Sequence, residues 1–306
     1  MRKKELRIYS TFTDRWATQG FLFMLPALFF VTLFIVVPVF LNVFLAFTNY
    51  KGFGVPYRFI GLQNFQSLVT DASFWLVLGN TFRLLLIYVV VLNVAAIFLA
   101  ILIVDVGARF GNFVKALLYF PCLLAPIVVG FVWRLILNYN RGLVNSTLRS
   151  FGLESLAQNW LGEQALIIPV ISLVIVWFAT GYYTIIYYAG VMAISPEYYE
   201  VATLEGANGI QKFRFVTLPM LAPAITINVV LSTMGVLGAY DLPTAISAGG
   251  GPGYHGTTLA LLVIRYVYDT YQEGKALAVA VIMSLIAVVL AYFELKILIK
   301  REDHSS

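Results

Sequence analysis

The sequence predicts an all-α, polytopic membrane protein with six transmembrane helices. Three observations carry that expectation. The 306-residue chain is 60% hydrophobic and only 11% charged, whereas an ordinary soluble domain is roughly 45–50% apolar and about 25% charged. Its mean hydropathy is +0.87. Its charges are also spaced so that six long stretches hold none: residues 16–50, 84–104, 116–133, 164–196, 215–240 and 276–293. Each stretch reaches, or can be extended to, the roughly 20 residues that cross about 30 Å of hydrocarbon as a helix. The stretches are continuously apolar rather than alternating with period two, which favours helices over a β-barrel. This composition excludes a soluble enzyme, a coiled coil and a disordered chain.

Taken in order, residues 1–20 form an N-terminal segment carrying Arg2, Lys3, Lys4, Arg7 and Arg15. Span one covers about 21–47. Its apolar stretch is much longer than the roughly 7–15 residues of a signal-peptide core, and no small-x-small site follows, so it reads as a membrane span. Between Gly61 and Trp75, the residues Leu62, Phe65, Leu68 and Val69 recur at helical spacing, which predicts a short interfacial helix. Spans two to six are expected at about 83–104, 114–137, 165–193, 215–241 and 274–298. Before the last span, Thr257–Tyr271 repeats the interfacial pattern, with Tyr266, Tyr268 and Tyr271 suited to an aromatic belt. Residues 301–306 are a tail.

Six spans put both termini on one side. Basic residues at the N-terminus, and Lys296, Lys300 and Arg301 at the other end, place that side in the cytoplasm. The interior loops discriminate less, with Arg109, Lys115, Lys212 and Arg214 on expected inner loops and Lys51, Arg58, Arg141, Arg149 and Arg265 on expected outer ones. The net charge of +5 is therefore read as orienting charge and not as a nucleic-acid surface.

Several chemistries lack their residues. No Gly-x-x-x-x-Gly-Lys-Ser/Thr loop occurs, so the chain cannot cradle ATP phosphates in that manner. Gly251, Gly253 and Gly256 match Gly-x-Gly-x-x-Gly, but without the flanking strand and helix they read as a turn. His255 and His304 have no partners at metal-ligand spacing, Cys122 is the single cysteine, and no carboxylate pair or Ser/His/Asp set faces a span. The acids of the spans, Asp105, Asp241 and Glu294, fall at their ends. A charge at mid-helix costs roughly 2.5–3.5 kcal/mol on insertion scales, and carriers that titrate such a residue retain it. Its absence disfavours a proton-driven carrier, while sodium coupling through backbone carbonyls stays open.

The loop between spans four and five, 195–217, is the most informative segment. Ser195 suits a helix N-cap, Pro196 the first helical position and Glu197 the first turn. A short helix to about Glu205 would end at Gly206, and after a second helical stretch Pro219 would start or kink the next span. Spacing alone does not separate this helix–turn–helix from an ordinary capped loop.

The segment resembles the EAA loop of permease subunits of binding-protein-dependent ABC importers, whose pattern is Glu-Ala-Ala, three residues, Gly, then a longer gap to Leu-Pro. Here it runs Glu200-Val201-Ala202, Gly206 and Leu218-Pro219. Val201 departs from the usual alanine, and Glu205 stands where Asp is common. Further likeness to the maltose-type, sugar-transporting branch lies in Gly61-Leu62-x-Asn64-Phe65, in Phe120-Pro121, and in Tyr240-Asp241 with Gly249-Gly250-Gly251-Pro252. The resemblance covers nearly the whole chain and implies the ABC type I importer permease fold.

It further implies a transport subunit and not an enzyme, with no cofactor of its own: ATP and magnesium would be bound by two separate cytoplasmic ATPase subunits. The expected partners are a second permease subunit of different sequence, a solute-binding protein outside the membrane, lipid and a sugar, with no nucleic acid. Glu200 would offer its carboxylate to the ATPase cleft, Ala202 would permit close approach, Gly206 would turn the chain, and Leu218 and Pro219 would lead into span five. The sugar-contacting positions carry over by register to Trp177, Phe178, Tyr182 and Ser232, with Tyr240 nearby; aromatic faces and hydroxyls are what a sugar ring requires. Aromatics in a membrane helix also serve packing. The rival readings are a stand-alone secondary carrier, a membrane enzyme, and a glycerol-phosphate permease. The last would want basic residues in the path, and none lies between Glu163 and Lys212.

Overall fold

The computed structural model describes residues 23–106 and 108–302, with side chains at 105, 108 and 299–302 excepted. The expected N-terminal segment, the first residues of span one, His304 and the last residues of the tail lie outside the described residues, as do the side chains of Asp105, Lys300 and Arg301.

Helix α1 (Phe23–Leu45) is apolar on every side, and none of its residues is buried by the rest of the chain. Pro38 cannot donate the bond its turn requires, and the backbone widens to a π turn at Thr32–Val36 just before it. The chain then turns on Asn64, whose amide donates to the carbonyls of Ala46 and Thr48 at 2.8 Å each. Asn64 belongs to α2 (Gln63–Val69), the expected short helix.

Asp71 caps α3 (Ala72–Asp105), accepting from the Ser73 amide at 2.9 Å. α3 starts eleven residues before the expected boundary at 83. Arg83 interrupts the apolar stretch but not the helix. At about 1.5 Å per residue, its 34 residues extend well beyond a hydrocarbon core.

The third and fifth stretches are each a bent pair of helices, and a kink near Pro219 is among the outcomes expected for the fifth. α4 (Ala108–Tyr119) passes through a 3-10 turn at Phe120–Leu123 into α5 (Pro126–Ile136), and the two halves meet at 95°. Pro126 drives Ala125 out of the helical region, and Leu124 and Ala125 are extended. Likewise α9 (Gly209–Met220) and α10 (Ala222–Leu237) meet at 68°. Pro219 and Pro223 remove two donors four residues apart, and the backbone ahead of them is π-wound at Phe213–Thr217. α10 stops at Leu237, and a separate helix, α11 (Asp241–Ser247), follows.

The remaining helices are α6 (Leu143–Ser150), α7 (Ile167–Met192), α8 (Pro196–Leu204), α12 (Leu259–Tyr268) and α13 (Glu273–Glu302). Among the described residues, α1, α3, α7 and α13 are each long and apolar enough to span; the two bent pairs bring the number to six. The principal core lies between α3 and α7. Leu84, Tyr88, Leu92, Ala96 and Ala100 recur every four residues on α3 and meet Ile171, Ile175, Tyr183 and Tyr187, also at multiples of four, on α7. Ridges at that spacing interdigitate, and the alanines let the backbones close. A second cluster joins α3 to α12 and α13 at the end of the bundle away from α8, through Phe74, Val77, Leu262 and Val279.

Candidate functional site

Two places in this fold can act on something outside the chain: a cavity at the broken helices and the exposed loop built on α8.

The cavity, of about 390 Å³, lies where α4 gives way to α5 and α10 gives way to α11, beside the middle of α7. It falls within the roughly 300–1,000 Å³ typical of small-molecule sites. α7 reaches the break because residue 181 is glycine: a Cβ there would overlap the carbonyl of Leu118. The Cys122 thiol donates to the Phe178 carbonyl at 2.8 Å and fixes the turn against α7. α11 seats against α5 at Gly130, where a Cβ would collide with Ala245. The wall is aromatic, with Tyr88 from α3, Tyr119 from α4, Phe178, Tyr182 and Tyr183 from α7, and Tyr240 from the α10–α11 break. Such a surface offers flat apolar faces with hydroxyls at their rims.

Phe178, Tyr182 and Tyr240 thus line one cavity; Trp177 and Ser232 do not. One residue along from Phe178, Trp177 points to the next face of α7 and packs edge-on against Trp133, ring centres 5.4 Å apart. Ser232 is fully buried and accepts from the Asn93 amide at 3.2 Å, while Asn93 accepts from the Tyr187 hydroxyl at 2.6 Å. This polar knot ties α3, α7 and α10 together. Nearby, Thr233 donates to Glu294 at 2.6 Å. Glu294, expected only to lie at a span end, therefore sits against the C-terminal half of α10. Tyr183, one of the aromatics span four offers for a sugar, lines it too; Tyr88, Tyr119 and Asp241 complete the wall without having been singled out for this role. Tyr88 belongs to the four-residue ridge of α3, so its sequence signal is that of core packing.

The loop takes the expected helix–turn–helix form. α8 starts at Pro196, and Gly206 turns the chain at φ +80°, a conformation that suits glycine. Ser195 has the N-cap backbone but makes no side-chain cap bond; the capping box lies further on, where Asn208 and Gln211 exchange bonds at 3.0 and 2.8 Å. Glu200 and Ala202 face different ways. Residues two apart are on opposite sides of a helix. Ala202 joins Gly206, Tyr198 and Phe215 around a groove of about 820 Å³. Glu200 lines a second groove with Lys212 and Thr203. Leu218 and Pro219 lie beyond the loop, in the last turn of α9 just before its bend into α10. Tyr199 links the loop to that bend: its hydroxyl lies 3.0 Å from that of Thr217, joining α8 to the π turn, and its ring packs against the cluster that holds Leu221. Large apolar side chains stay uncovered here, Leu204 at 88% and Ile210 at 79% exposure.

Among the described residues no group of three His, Cys, Asp or Glu is arranged to hold a metal ion.

Residues 93–302 match the family model described as "Binding-protein-dependent transport system inner membrane component". A probable ABC transporter permease of Pyrococcus horikoshii, PH1215, is 30% identical over 89% of this chain and 93% of its own length. The multiple sugar-binding transport system permease protein MsmF of Streptococcus mutans is 29% identical over 91% and 94%. The trehalose/maltose transport system permease protein MalF of Thermococcus litoralis is 27% identical over 92% and 94%. In fold, the chain is similar to a chain of the crystal structure of a bacterial ABC transporter that imports the acidic polysaccharide alginate, with TM-score 0.75 at 22% identity over 96% of this chain and 99% of that one. The family match covers more than half the sequence and includes the loop and every cavity-lining residue except Tyr88: the chain belongs to the inner-membrane components of binding-protein-dependent transport systems, as a multi-pass ABC permease subunit.

Proposed function

We propose that the chain lines the translocation path for a sugar or oligosaccharide, as one of two permease subunits of different sequence. The carrying observation is the aromatic cavity placed where two spans break. Discontinuous helices are where transporters build their solute sites, because freed backbone groups and side chains there face a cavity instead of lipid. The sugar-specific names of relatives such as MsmF and MalF agree with a wall of tyrosines. Phe178, Tyr182 and Tyr240 would contact the solute directly, Trp177 would brace α7 from outside, and Ser232 would hold the helices that frame the cavity.

The α8 loop is the proposed coupling element, with both termini on its side of the membrane, in the cytoplasm. Two ATPase subunits, holding ATP and magnesium, would cover Leu204 and Ile210. Glu200 would meet a basic or hydrogen-bonding partner, and Ala202 and Gly206 would admit close approach. Leu218 and Pro219 would form the hinge through which the loop moves α10. An external solute-binding protein, as in the alginate complex with its periplasmic protein, would deliver the solute at the opposite face.

The test is uptake of labelled oligosaccharides into proteoliposomes. The assembled transporter with binding protein and ATP is expected to accumulate at least one sugar; the chain alone is expected to accumulate none. Unaided uptake by the chain alone would establish a carrier and overturn the reading.

A further inference from the structure

The cavity wall holds one acidic side chain and no basic one. Asp241 lines the cavity together with the tyrosines; no Lys, Arg or His does. Its position follows from the local backbone. α10 ends at Leu237, capped by Gly238, Tyr240 leaves the helical region at φ −128°, and α11 restarts at Asp241. The restart puts Asp241 on the break itself, while Leu242 and Pro243 behind it are buried. Among the described residues the one ion pair is Arg265–Asp269 at 3.6 Å, so no cation within 4 Å neutralises Asp241. A carboxylate in a membrane bundle is costly unless it faces a watered cavity, and such residues mark solute pathways.

We infer that Asp241 sets the charge selectivity of this permease: its carboxylate accepts hydrogen bonds from the hydroxyls of an uncharged sugar and excludes sugars that carry carboxylates. The inference rests on the reading of the cavity as a sugar path. The chemistry is one-sided. A carboxylate has only acceptors, and two adjacent hydroxyls of a pyranose can donate to its two oxygens as charge-assisted bonds. The tyrosine hydroxyls both donate and accept, so they can satisfy the remaining ring oxygens. A uronic acid brings a second negative charge into a space with no basic group, where low-dielectric walls strengthen the repulsion. The substrate class is therefore neutral oligosaccharides, in contrast to the acidic polysaccharide carried by the transporter of similar fold.

The test uses the assembled transporter in lipid nanodiscs without its binding protein, so that the discrimination measured belongs to the membrane cavity. Saturation-transfer NMR titrations would compare neutral trisaccharides (maltotriose, cellotriose, raffinose) with trigalacturonate and trimannuronate. The wild type is expected to bind at least one neutral trisaccharide at least tenfold more tightly than either acidic one. Asp241→Asn, which keeps the side-chain shape, is expected to narrow that ratio at least fivefold, and Asp241→Lys to invert it. Raising salt from 0.1 to 1 M should narrow the wild-type ratio and leave that of Asp241→Asn unchanged, a check that needs no variant of altered shape in the wild-type arm. A ratio unmoved by Asp241→Asn, or acidic sugars bound as tightly as neutral ones by the wild type, overturns the Asp241 assignment and leaves the sugar path standing. If the wild type binds no trisaccharide of either kind, the sugar path fails and this assignment fails with it.

Discussion

The cavity and the α8 loop are opposites in construction. The cavity is assembled from six helices, with rings from α3, α4 and α7 and a restart of the backbone after α10. The loop is assembled from one continuous stretch, Ser195 to Thr217, and leaves Leu204 and Ile210 open to a partner. A site for a small solute must enclose it, which requires many elements. A site for a protein must protrude, which one segment can do. The two are nevertheless ends of a single object. α9 starts in the loop, bends after Met220 and continues as α10, whose Gly235 and Val236 line the cavity. Tyr199 and Thr217 bolt α8 to the start of that bend.

Changes at the cavity should separate from changes at the loop in what they spoil. The largest effect is expected from Gly181→Leu. No side chain fits where α7 crosses the Leu118 carbonyl, so the bundle should fail to close, and the yield of assembled transporter measured by size-exclusion chromatography should fall at least tenfold. Glu200→Lys and Gly206→Pro come next. Each should leave assembly intact and reduce uptake by an order of magnitude or more, because the proposed coupling loop would meet an ATPase subunit with the wrong charge or the wrong turn; normal uptake and normal solute-stimulated ATP hydrolysis in both would remove the loop from the mechanism.

Phe178→Ala with Tyr182→Ala should leave basal ATP hydrolysis unchanged and weaken sugar binding. An aromatic contact is worth about 0.5–1.5 kcal/mol beyond its area, so the pair should raise the apparent Kd roughly tenfold by the arithmetic of about 1.4 kcal/mol per decade. Trp177→Ala marks the small end. It removes an edge-on contact with Trp133 outside the cavity, so uptake affinity should change less than twofold. An effect as large as that of the Phe178/Tyr182 pair would mean that the solute path runs along the other face of α7.

The same contrast explains what was legible in the sequence. Six apolar stretches, the short helix at Gln63–Val69 and the turn at Gly206 follow from local pattern, and local pattern is one-dimensional. The 95° and 68° bends were announced only by prolines. Pro121, Pro126, Pro219 and Pro223 say that a helix loses donors, but not whether neighbours let it continue, kink or turn back. The cavity depended on those bends. Phe178 and Tyr182, four residues apart, share a face of α7, while Trp177 falls on the next one, a distinction a residue list does not carry. Ser232 has the hydroxyl a sugar would want, but Asn93 on a helix 139 residues away claims it. Tyr88 looks like one more core residue of a ridge, because its exposure to the cavity depends on a break in a different helix.

The central claim, that the loop acts on the cavity through the α9–α10 bend, is tested most directly by a double-mutant cycle on Tyr199 and Thr217. Tyr199→Phe and Thr217→Val each remove one hydroxyl of the 3.0 Å contact and keep the side-chain shape. Sugar-stimulated ATP hydrolysis by the assembled transporter would be measured for both single variants and the double. If the contact transmits motion, each single variant should lose most of the stimulation while keeping basal hydrolysis, and the double variant should lose no more than either one. Stimulation that stays at the wild-type level in the double variant, or losses that simply add, would contradict the account.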